Sequence, residues 1–168
     1  MDFINIAKSR SSVRDYNNKK VEPEKLEKIL EVAHVAPTAA NLQPVHLIVV
    51  QSEEGLAKIG KAANIYGASL AIIVCADHDK AWVRPFDGKQ TGDIDASILT
   101  DHMMLQATEL GLGSLWCGVH PQKHAEKRIA DILGLTNKQI PLNIVYIGHP
   151  AEEPEPRDQY KEKNVHWI

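Results

Sequence analysis

The sequence lacks the features that mark secreted, membrane-spanning and nucleic-acid-binding chains. It contains two cysteines, Cys75 and Cys117, so no disulfide framework is expected and a cytoplasmic, reducing location is the simpler assignment. The longest apolar run, residues 70–76, is far too short to cross a bilayer, and no apolar stretch near the start marks a secretory signal. The formal net charge of -3, without a basic stripe, gives no electrostatic case for nucleic acid.

What is present is the composition of one globular domain. The 168 residues are 43% hydrophobic and 24% charged, which is enough to bury a core without disulfide or metal staples. No internal repeat or low-complexity linker divides the sequence. Residues 1–168 are therefore expected to form a single domain.

Hydrophobic patterning predicts helices that alternate with short buried strands. A clear helix begins at residues 22–24, since proline suits the first turn and acids suit the positive helix end, and Pro37 ends it. A long helix over about residues 93–110 closes at Gly111 as a glycine cap. The other predicted elements are a short helix near residues 3–7, strands over residues 45–50, 70–75, 114–119 and 142–147, helices over residues 53–61 and 121–134, and a loop over residues 77–92. This alternation favours a sheet covered by helices on both faces.

Three segments carry groups suited to a ligand site. RSSVR at residues 10–14 places two guanidinium groups around two hydroxyls, a compact set of donors for a phosphate or a polar ring edge. APTAANLQP at residues 36–44 combines small residues, which let backbone approach a ligand, with carboxamides that pair with a heterocycle. LGLGSLWCG at residues 110–118 offers an apolar platform where a flat ring can lie against backbone N–H groups.

Each segment also has an ordinary structural interpretation. These are, in order, a solvated basic turn, a helix-stopping loop, and a helix cap that runs into a core strand. His120 and His124 are four residues apart, but no matching carboxylate or cysteine motif accompanies them, so no metal site is predicted. Cys117 would need a low-pKa environment to act as a reactive thiol. Trp82 and Phe86 either cover a ligand or anchor their loop.

Four stretches, taken in order, resemble one family. RSSVRDY, APTAANLQPVHLIVV, DIDASILTDHMMLQATELGLGSLWCG and IGHPAEEPEPR resemble the nitroreductase family of FMN oxidoreductases, over nearly the whole length. Each stretch alone is weak evidence for the family, whereas the four in this order make a specific match. The family often has two basic residues at the start of the first stretch, whereas in this sequence the second of these two positions is Ser11.

The resemblance implies an α+β fold, a three-layer α/β/α sandwich with a central, mostly antiparallel sheet. It also implies a homodimer with FMN at the interface, each site being built from both subunits. The chain is short for the family and has no room for a large helical excursion, which implies an open substrate channel.

By position, the resemblance assigns FMN-binding residues and no catalytic side chain. The phosphate, the ribityl chain and the pyrimidine side of the ring would be held by Arg10, Ser11, Ser12, Arg14 and Arg157. The partner chain would contribute Pro37, Thr38, Asn41 and Gln43. The ring would face Leu115, Trp116, Cys117 and Gly118, with the backbone N–H of Cys117 or Gly118 near flavin N5.

The implied activity is that of an FMN-dependent NAD(P)H oxidoreductase. Hydride would pass from NAD(P)H to flavin N5, and a nitroaromatic, quinone or other small acceptor would then be reduced in ping-pong order. The flavin does the chemistry, while the protein supplies binding, orientation and electrostatics. Two alternatives stay open: a non-enzymatic flavin-binding or storage protein, and a family relative with dehalogenase or flavin-breakdown chemistry.

Overall fold

The computed structural model describes residues 2–155 and 164–168, and in this part of the chain five α-helices and four strands are formed. The helices are α1 (Phe3–Ser9), α2 (Pro23–Val35), α3 (Glu53–Gly60), α4 (Gly92–Glu109) and α5 (Lys123–Leu133). The strands are β1 (Val45–Val50), β2 (Leu70–Ala76), β3 (Gly113–Gly118) and β4 (Ile140–Gly148), and a short 3-10 turn, Ala39–Asn41, precedes β1. Within the described ranges, no helix combines the length and the apolar character that crossing a membrane requires.

The sheet is antiparallel throughout, and its order β1–β2–β4–β3 leaves β1 and β3 as the two edges. In one row across the sheet, Gly118 of β3 lies opposite Asn143 of β4, which lies opposite Val74 of β2. Val74 in turn lies opposite Leu47 of β1. The end of β3 and the beginning of β1 are therefore at the same end of the sheet, three strand spacings or about 14 Å apart.

Strand β2 divides the core into two halves, because all of its residues are buried. Its side chains alternate between the face covered by α2 and α4 (Leu70, Ile72, Val74, Ala76) and the face covered by α3 and α5 (Ala71, Ile73, Cys75). A strand buried on both faces has no polar alternation, which explains its continuous apolar run. The three-layer α/β/α sandwich expected from the sequence is confirmed.

The predicted elements agree with the structure to within two residues, and the start of α5 shows why such a difference arises. Val119 and His120 both donate their backbone N–H to the carbonyl of Leu142, at 2.9 and 3.0 Å. The chain thus stays attached to β4 through His120, and α5 begins at Lys123, after a turn, instead of at residue 121. The predicted loop of residues 77–92 contains one antiparallel bridge, between Val83 and Gln90.

A polar pair is buried between α4 and the sheet. The side-chain amide of Asn143 donates to the hydroxyl of Thr100 at 3.1 Å, and the hydroxyl lies 3.3 Å from the carboxamide oxygen of Asn143. Both residues are buried, and a buried amide needs such a partner because water does not reach it. The pair therefore fixes α4 against β4 in the row that contains Gly118.

We expect Thr100→Val to lower the free energy of unfolding by about 1–3 kcal/mol, because it leaves the buried Asn143 amide without its partner. Urea denaturation followed by circular dichroism measures the difference. Thr108→Val on the same helix is the matched control. The Thr108 hydroxyl donates to the helix carbonyl of Met104 at 2.9 Å, so its loss leaves no other side chain without a hydrogen-bond partner. Equal stability of Thr100→Val and the parent would contradict the assigned role.

Candidate functional site

The segment that follows α1 is bound to the outer edge of β3. Val13 donates its backbone N–H to the carbonyl of Ser114 at 3.0 Å, and Ser12 and Ser114 form a parallel bridge. Val13 is buried, whereas Ser12 and Arg14 on either side of it are exposed. The first and third segments singled out in the sequence are thus neighbours in space.

Gly113 makes this attachment possible. A Cβ atom at Gly113 would stand 2.7 Å from Cγ2 of Val13, which is closer than carbon atoms approach without a shift. Any larger residue at this position would push the segment of residues 10–14 away from β3. The glycine is therefore needed for close approach, a role that the sequence pattern did not reveal.

Beyond Ser114 the outer edge of β3 is open. Successive residues of a strand direct their N–H and C=O groups to opposite sides. The carbonyl of Ser114 points outward, whereas the N–H of Val119 bonds to β4. The backbone N–H and C=O groups of Trp116 and Gly118 therefore also point outward. Among residues 2–155 and 164–168, no backbone segment pairs with them. Of the two backbone donors considered from the sequence, Cys117 and Gly118, the alternation favours Gly118.

The side chain of Cys117 lies inside, on the face covered by α3 and α5. It is a diagonal neighbour of Tyr146 across β3 and β4, and the hydroxyl of Tyr16 donates to the Tyr146 carbonyl at 3.3 Å. Burial raises the pKa of the Cys117 thiol, and nearby Arg14 offsets this only in part. Burial likewise raises the pKa of both phenols, and that of Cys75 to about 12. These thiols are protonated at neutral pH, so the structure gives no support to a reactive Cys117.

The loop of residues 37–43, here called the strained loop, leads into β1, the edge strand on the other side of the sheet from β3. Three of its residues are in the left-handed region without being glycine: Ala40 at φ 50°, Asn41 at φ 54° and Gln43 at φ 48°. Such conformations cost about 1–3 kcal/mol each and persist where the surrounding structure imposes them. Within the loop, the hydroxyl of Thr38 accepts the Gln43 N–H at 3.1 Å.

Asp95 of α4 holds the strained loop in place. The residue is 1% exposed, and Oδ1 of its carboxylate accepts the backbone N–H of Ala39 at 2.9 Å. On the other side, the Lys80 ammonium donates to the carbonyl of Gln43 at 3.1 Å. Sequence reasoning missed Asp95, because an acid in the first turn of a helix is ordinarily a solvated partner of the helix dipole.

Five of the candidate residues line two separate cavities. Ser11, Ser12 and Arg14 line one of about 480 Å³, and we call residues 10–14 with residues 115–118 the β3 half-site. Thr38 and Gln43 line another of about 470 Å³, and we call the strained loop the loop half-site. The two cavities share no lining residue, so one chain presents two half-sites and not one pocket.

The two half-sites differ in what their side chains expose. In the loop half-site Pro37, Asn41 and Gln43 are exposed and Thr38 is half-buried. In the β3 half-site Arg10, Ser11 and Cys117 are half-buried, Trp116 and Gly118 are exposed, and Leu115 belongs to the core. Because the alternation also directs the backbone N–H and C=O of Leu115 toward β4, neither its side chain nor these groups reach the outer edge of the strand. Arg157 lies outside the described residues.

Trp82 and Phe86 lie in the segment between β2 and α4. Thr91 donates its N–H to the carbonyl of Trp82 at 2.9 Å, which closes the base of the turn around the Val83–Gln90 bridge. Phe86 is 79% exposed, with the guanidinium of Arg84 lying 5.2 Å from its ring centre. Anchoring thus fits Trp82 better than Phe86. In the described part of the chain, no three His, Cys, Asp or Glu side chains are placed to hold a metal ion.

Comparison with known families gives one match over most of the chain. The family model described as "Nitroreductase family" matches residues 7–66 and 60–149. These two matches together include the Arg/Ser segment, the strained loop, α4 and the whole of β3.

Solved structures and curated relatives agree with that match. A nitroreductase family protein from Clostridium difficile 630 is 51% identical with a TM-score of 0.88, covering 99% of this chain and 94% of that chain. An FMN-dependent nitroreductase from Clostridium difficile R20291 is 33% identical with a TM-score of 0.86, covering 98% of each. A Bacillus subtilis protein named FMN reductase (NAD(P)H) is 28% identical, over 92% of this chain and 68% of that protein.

We expect Asp95→Ala to loosen the strained loop, because it removes the acceptor of the Ala39 N–H and leaves three unfavourable φ angles with less support. Amide hydrogen exchange of a peptide that spans the loop should become faster, while exchange in β2 stays slow. Asp101→Ala is the matched control, since it removes the same charge from an exposed position of α4. A loop that exchanges at the same rate in both variants would show that Asp95 does not hold it.

Proposed function

The chain belongs to the nitroreductase family, and from that premise we propose that it is an FMN-dependent NAD(P)H oxidoreductase. When bound, FMN would take hydride from NAD(P)H and deliver electrons to a nitroaromatic, a quinone or another small acceptor. The chain's own residues would bind the flavin, orient it and set the charge around it. Two similar proteins carry FMN in their names, one as an FMN-dependent nitroreductase and one as an FMN reductase.

The observation that carries this proposal is the open outer edge of β3 beside a set of arginine and serine donors. Outward N–H groups at Trp116 and Gly118 suit the polar edge of a flat ring, and guanidinium groups suit phosphate or ring carbonyl oxygens. In this assignment Arg10 holds the phosphate, Ser11 and Ser12 the ribityl chain, and Arg14 the pyrimidine side. The donor chemistry of the β3 half-site thus fits FMN, and Arg157 would add a second phosphate ligand.

We propose that the functional unit is a homodimer with FMN at its interface. The loop half-site and the Gly118 end of the β3 half-site lie at opposite edges of the sheet, about 14 Å apart, so one flavin meets both when each edge comes from a different subunit. The exposed C-terminal residues support this assembly: Trp167 is 92% exposed, and burying such a side chain stabilises by about 1.5–3 kcal/mol. A partner subunit would provide the surface that covers it.

A cytoplasmic location is part of the proposal, since both thiols are free, as in a reducing compartment.

A flavin-storage protein would bind FMN without passing electrons to an acceptor. Mixing the FMN-loaded protein with NADH or NADPH under nitrogen separates the two functions, because loss of the flavin absorbance band is expected from an oxidoreductase only.

We expect Arg10→Ala to weaken FMN binding by about 10- to 150-fold, because a charge-assisted hydrogen bond is worth about 1.5–3 kcal/mol and each 1.4 kcal/mol is a factor of ten. Titration of flavin-free protein with FMN, followed by flavin fluorescence, gives the affinity. Lys138→Ala is the control, since it removes one positive charge from an exposed turn. A parent that takes up no FMN would refute the function, whereas equal affinities would refute only the role of Arg10.

Sedimentation velocity of the FMN-loaded protein is expected to show a dimer that carries two flavins. Trp167→Ala should weaken the dimer, because the exposed indole loses its burial against the partner. Phe86→Ala, which removes an aromatic ring that is 79% exposed, is the control and should leave the dimer intact. A stable monomer that retains flavin would contradict the proposed assembly.

A further inference from the structure

The cavity of the loop half-site carries basic groups, and none of the described residues that line it is acidic. The cavity has a volume of about 470 Å³. Its apolar lining consists of Ala33, Ala36, Val45 and Leu99, and its polar lining of His34, Thr38, Gln43, His46 and Lys80. The whole chain has a formal net charge of -3, so this cavity differs in charge from the chain around it.

Lys80 brings the positive charge to the cavity. Its ammonium donates to the backbone carbonyl of Gln43 at 3.1 Å, which fixes the end of this long side chain beside the strained loop. An ammonium group has three N–H donors, so two others are left for a ligand. Lys80 therefore presents a charged donor at a defined place.

The carboxylates near Lys80 do not line the cavity. Oδ1 of Asp77 accepts the backbone N–H groups of Asp79 and Lys80, at 3.1 and 3.3 Å. Asp79 is exposed, and the buried Asp95 accepts the backbone N–H of Ala39. In the described lining, the ammonium of Lys80 thus faces no carboxylate.

The other polar groups of the lining are also donors. The hydroxyl of Thr38 accepts the backbone N–H of Gln43 at 3.1 Å, and a hydroxyl that accepts still has its own O–H to donate. The Gln43 carboxamide has two N–H groups, and an imidazole has at least one in either charge state. His34 and His46 are exposed, so a ligand can reach them. Several donors around one positive charge suit a phosphate group.

The cavity adjoins the place proposed for the flavin. Thr38 and Gln43 line it and also belong to the strained loop, which the proposed dimer brings against the flavin. In NADH and NADPH one ribose separates the nicotinamide ring from the pyrophosphate. A donor whose nicotinamide lies on the flavin therefore carries its phosphate groups to the side of the ring, which is where the cavity lies.

We propose that this cavity binds a phosphate group of the hydride donor, NADH or NADPH. Lys80 is the charged contact, and Thr38, His34 and His46 are further hydrogen-bond donors. The inference rests on the proposed function, because it names the part of the chain that recognises the hydride donor. The nicotinamide ring itself is left to the face of the flavin.

The first test compares NADH with 1-benzyl-1,4-dihydronicotinamide, a hydride donor without phosphate, on the FMN-loaded protein. The ratio of kcat/KM for NADH to kcat/KM for the phosphate-free donor should fall roughly tenfold in Lys80→Gln, as expected for one lost charge-assisted hydrogen bond. Changes in the flavin or the strained loop that affect both donors alike cancel in this ratio. Lys80→Arg, which keeps the charge and the donors, should retain the parent's ratio.

Lys28→Gln is the matched control, because it removes the same charge from an exposed position of α2 that does not line the cavity. Its ratio should equal that of the parent. Measuring NADPH in the same way identifies the phosphate: a loss with both donors assigns the pyrophosphate, and a loss with NADPH alone assigns its 2′-phosphate. Equal ratios in Lys80→Gln and the parent, with NADH and with NADPH, would overturn the proposal.

The second test measures binding without hydride transfer. ADP-ribose and 2′-phospho-ADP-ribose keep the phosphate groups of the two donors and lack the nicotinamide. At least one of them should shift the imidazole NMR signals of His34 and His46, assigned with His34→Gln and His46→Gln, and Lys80→Gln should weaken that binding. Shifts from neither compound would overturn the proposal, as would equal shifts from adenosine or from inorganic phosphate at the same concentration.

The two tests separate failure of the site from failure of the function. A protein that takes up no FMN, or whose FMN is reduced by none of the three nicotinamide donors, would refute the proposed function. The NMR titration is run on the protein as purified, so it still decides whether the cavity binds phosphate. A protein that is reduced by all three donors, with a ratio insensitive to Lys80, would refute only the phosphate site.

Discussion

The backbone hydrogen bond from Val13 to Ser114 attaches the Arg/Ser segment to the outer edge of β3, and the attachment ends there. Gly113 allows it, because the Val13 side chain occupies the space that a Cβ atom would need. Along the rest of the edge, at Trp116 and Gly118, no backbone group of residues 2–155 or 164–168 pairs with the outward N–H groups. The same contact thus gathers the charged donors and leaves open the backbone beside them, so the β3 half-site depends on it.

The loop half-site depends on a different kind of support. Its left-handed residues are unfavourable by themselves, and a buried carboxylate on α4 holds the adjoining Ala39. The sheet order places this loop and the Gly118 end of the β3 half-site at opposite edges but at the same end of the sheet. Two copies of the chain related by a two-fold axis can therefore bring unlike half-sites together twice, which is the symmetry that an isologous dimer provides.

The sequence was sufficient for the fold, because apolar periodicity is a local property, while the site segments marked by its short motifs stay predictions. The β2 run and the glycine cap after α4 are of this kind. Asp95 is not, because its role depends on which residues the fold brings into contact across elements. An acid near a helix start has the same local signature whether it is solvated or buried against a loop, so no local rule identifies this residue.

The position of β2 in the sheet has a consequence for synthesis of the chain. LAIIVCA is uncharged, rich in β-branched residues and without proline, which is the composition of segments prone to intermolecular pairing. Its neighbour β1 has already left the ribosome when β2 emerges, but its other neighbour, β4, begins only at Ile140. During that interval one edge and both apolar faces of β2 lack their final cover. Chaperone binding during translation would matter most for this stretch, and folding to the native state is coupled to completion of β4.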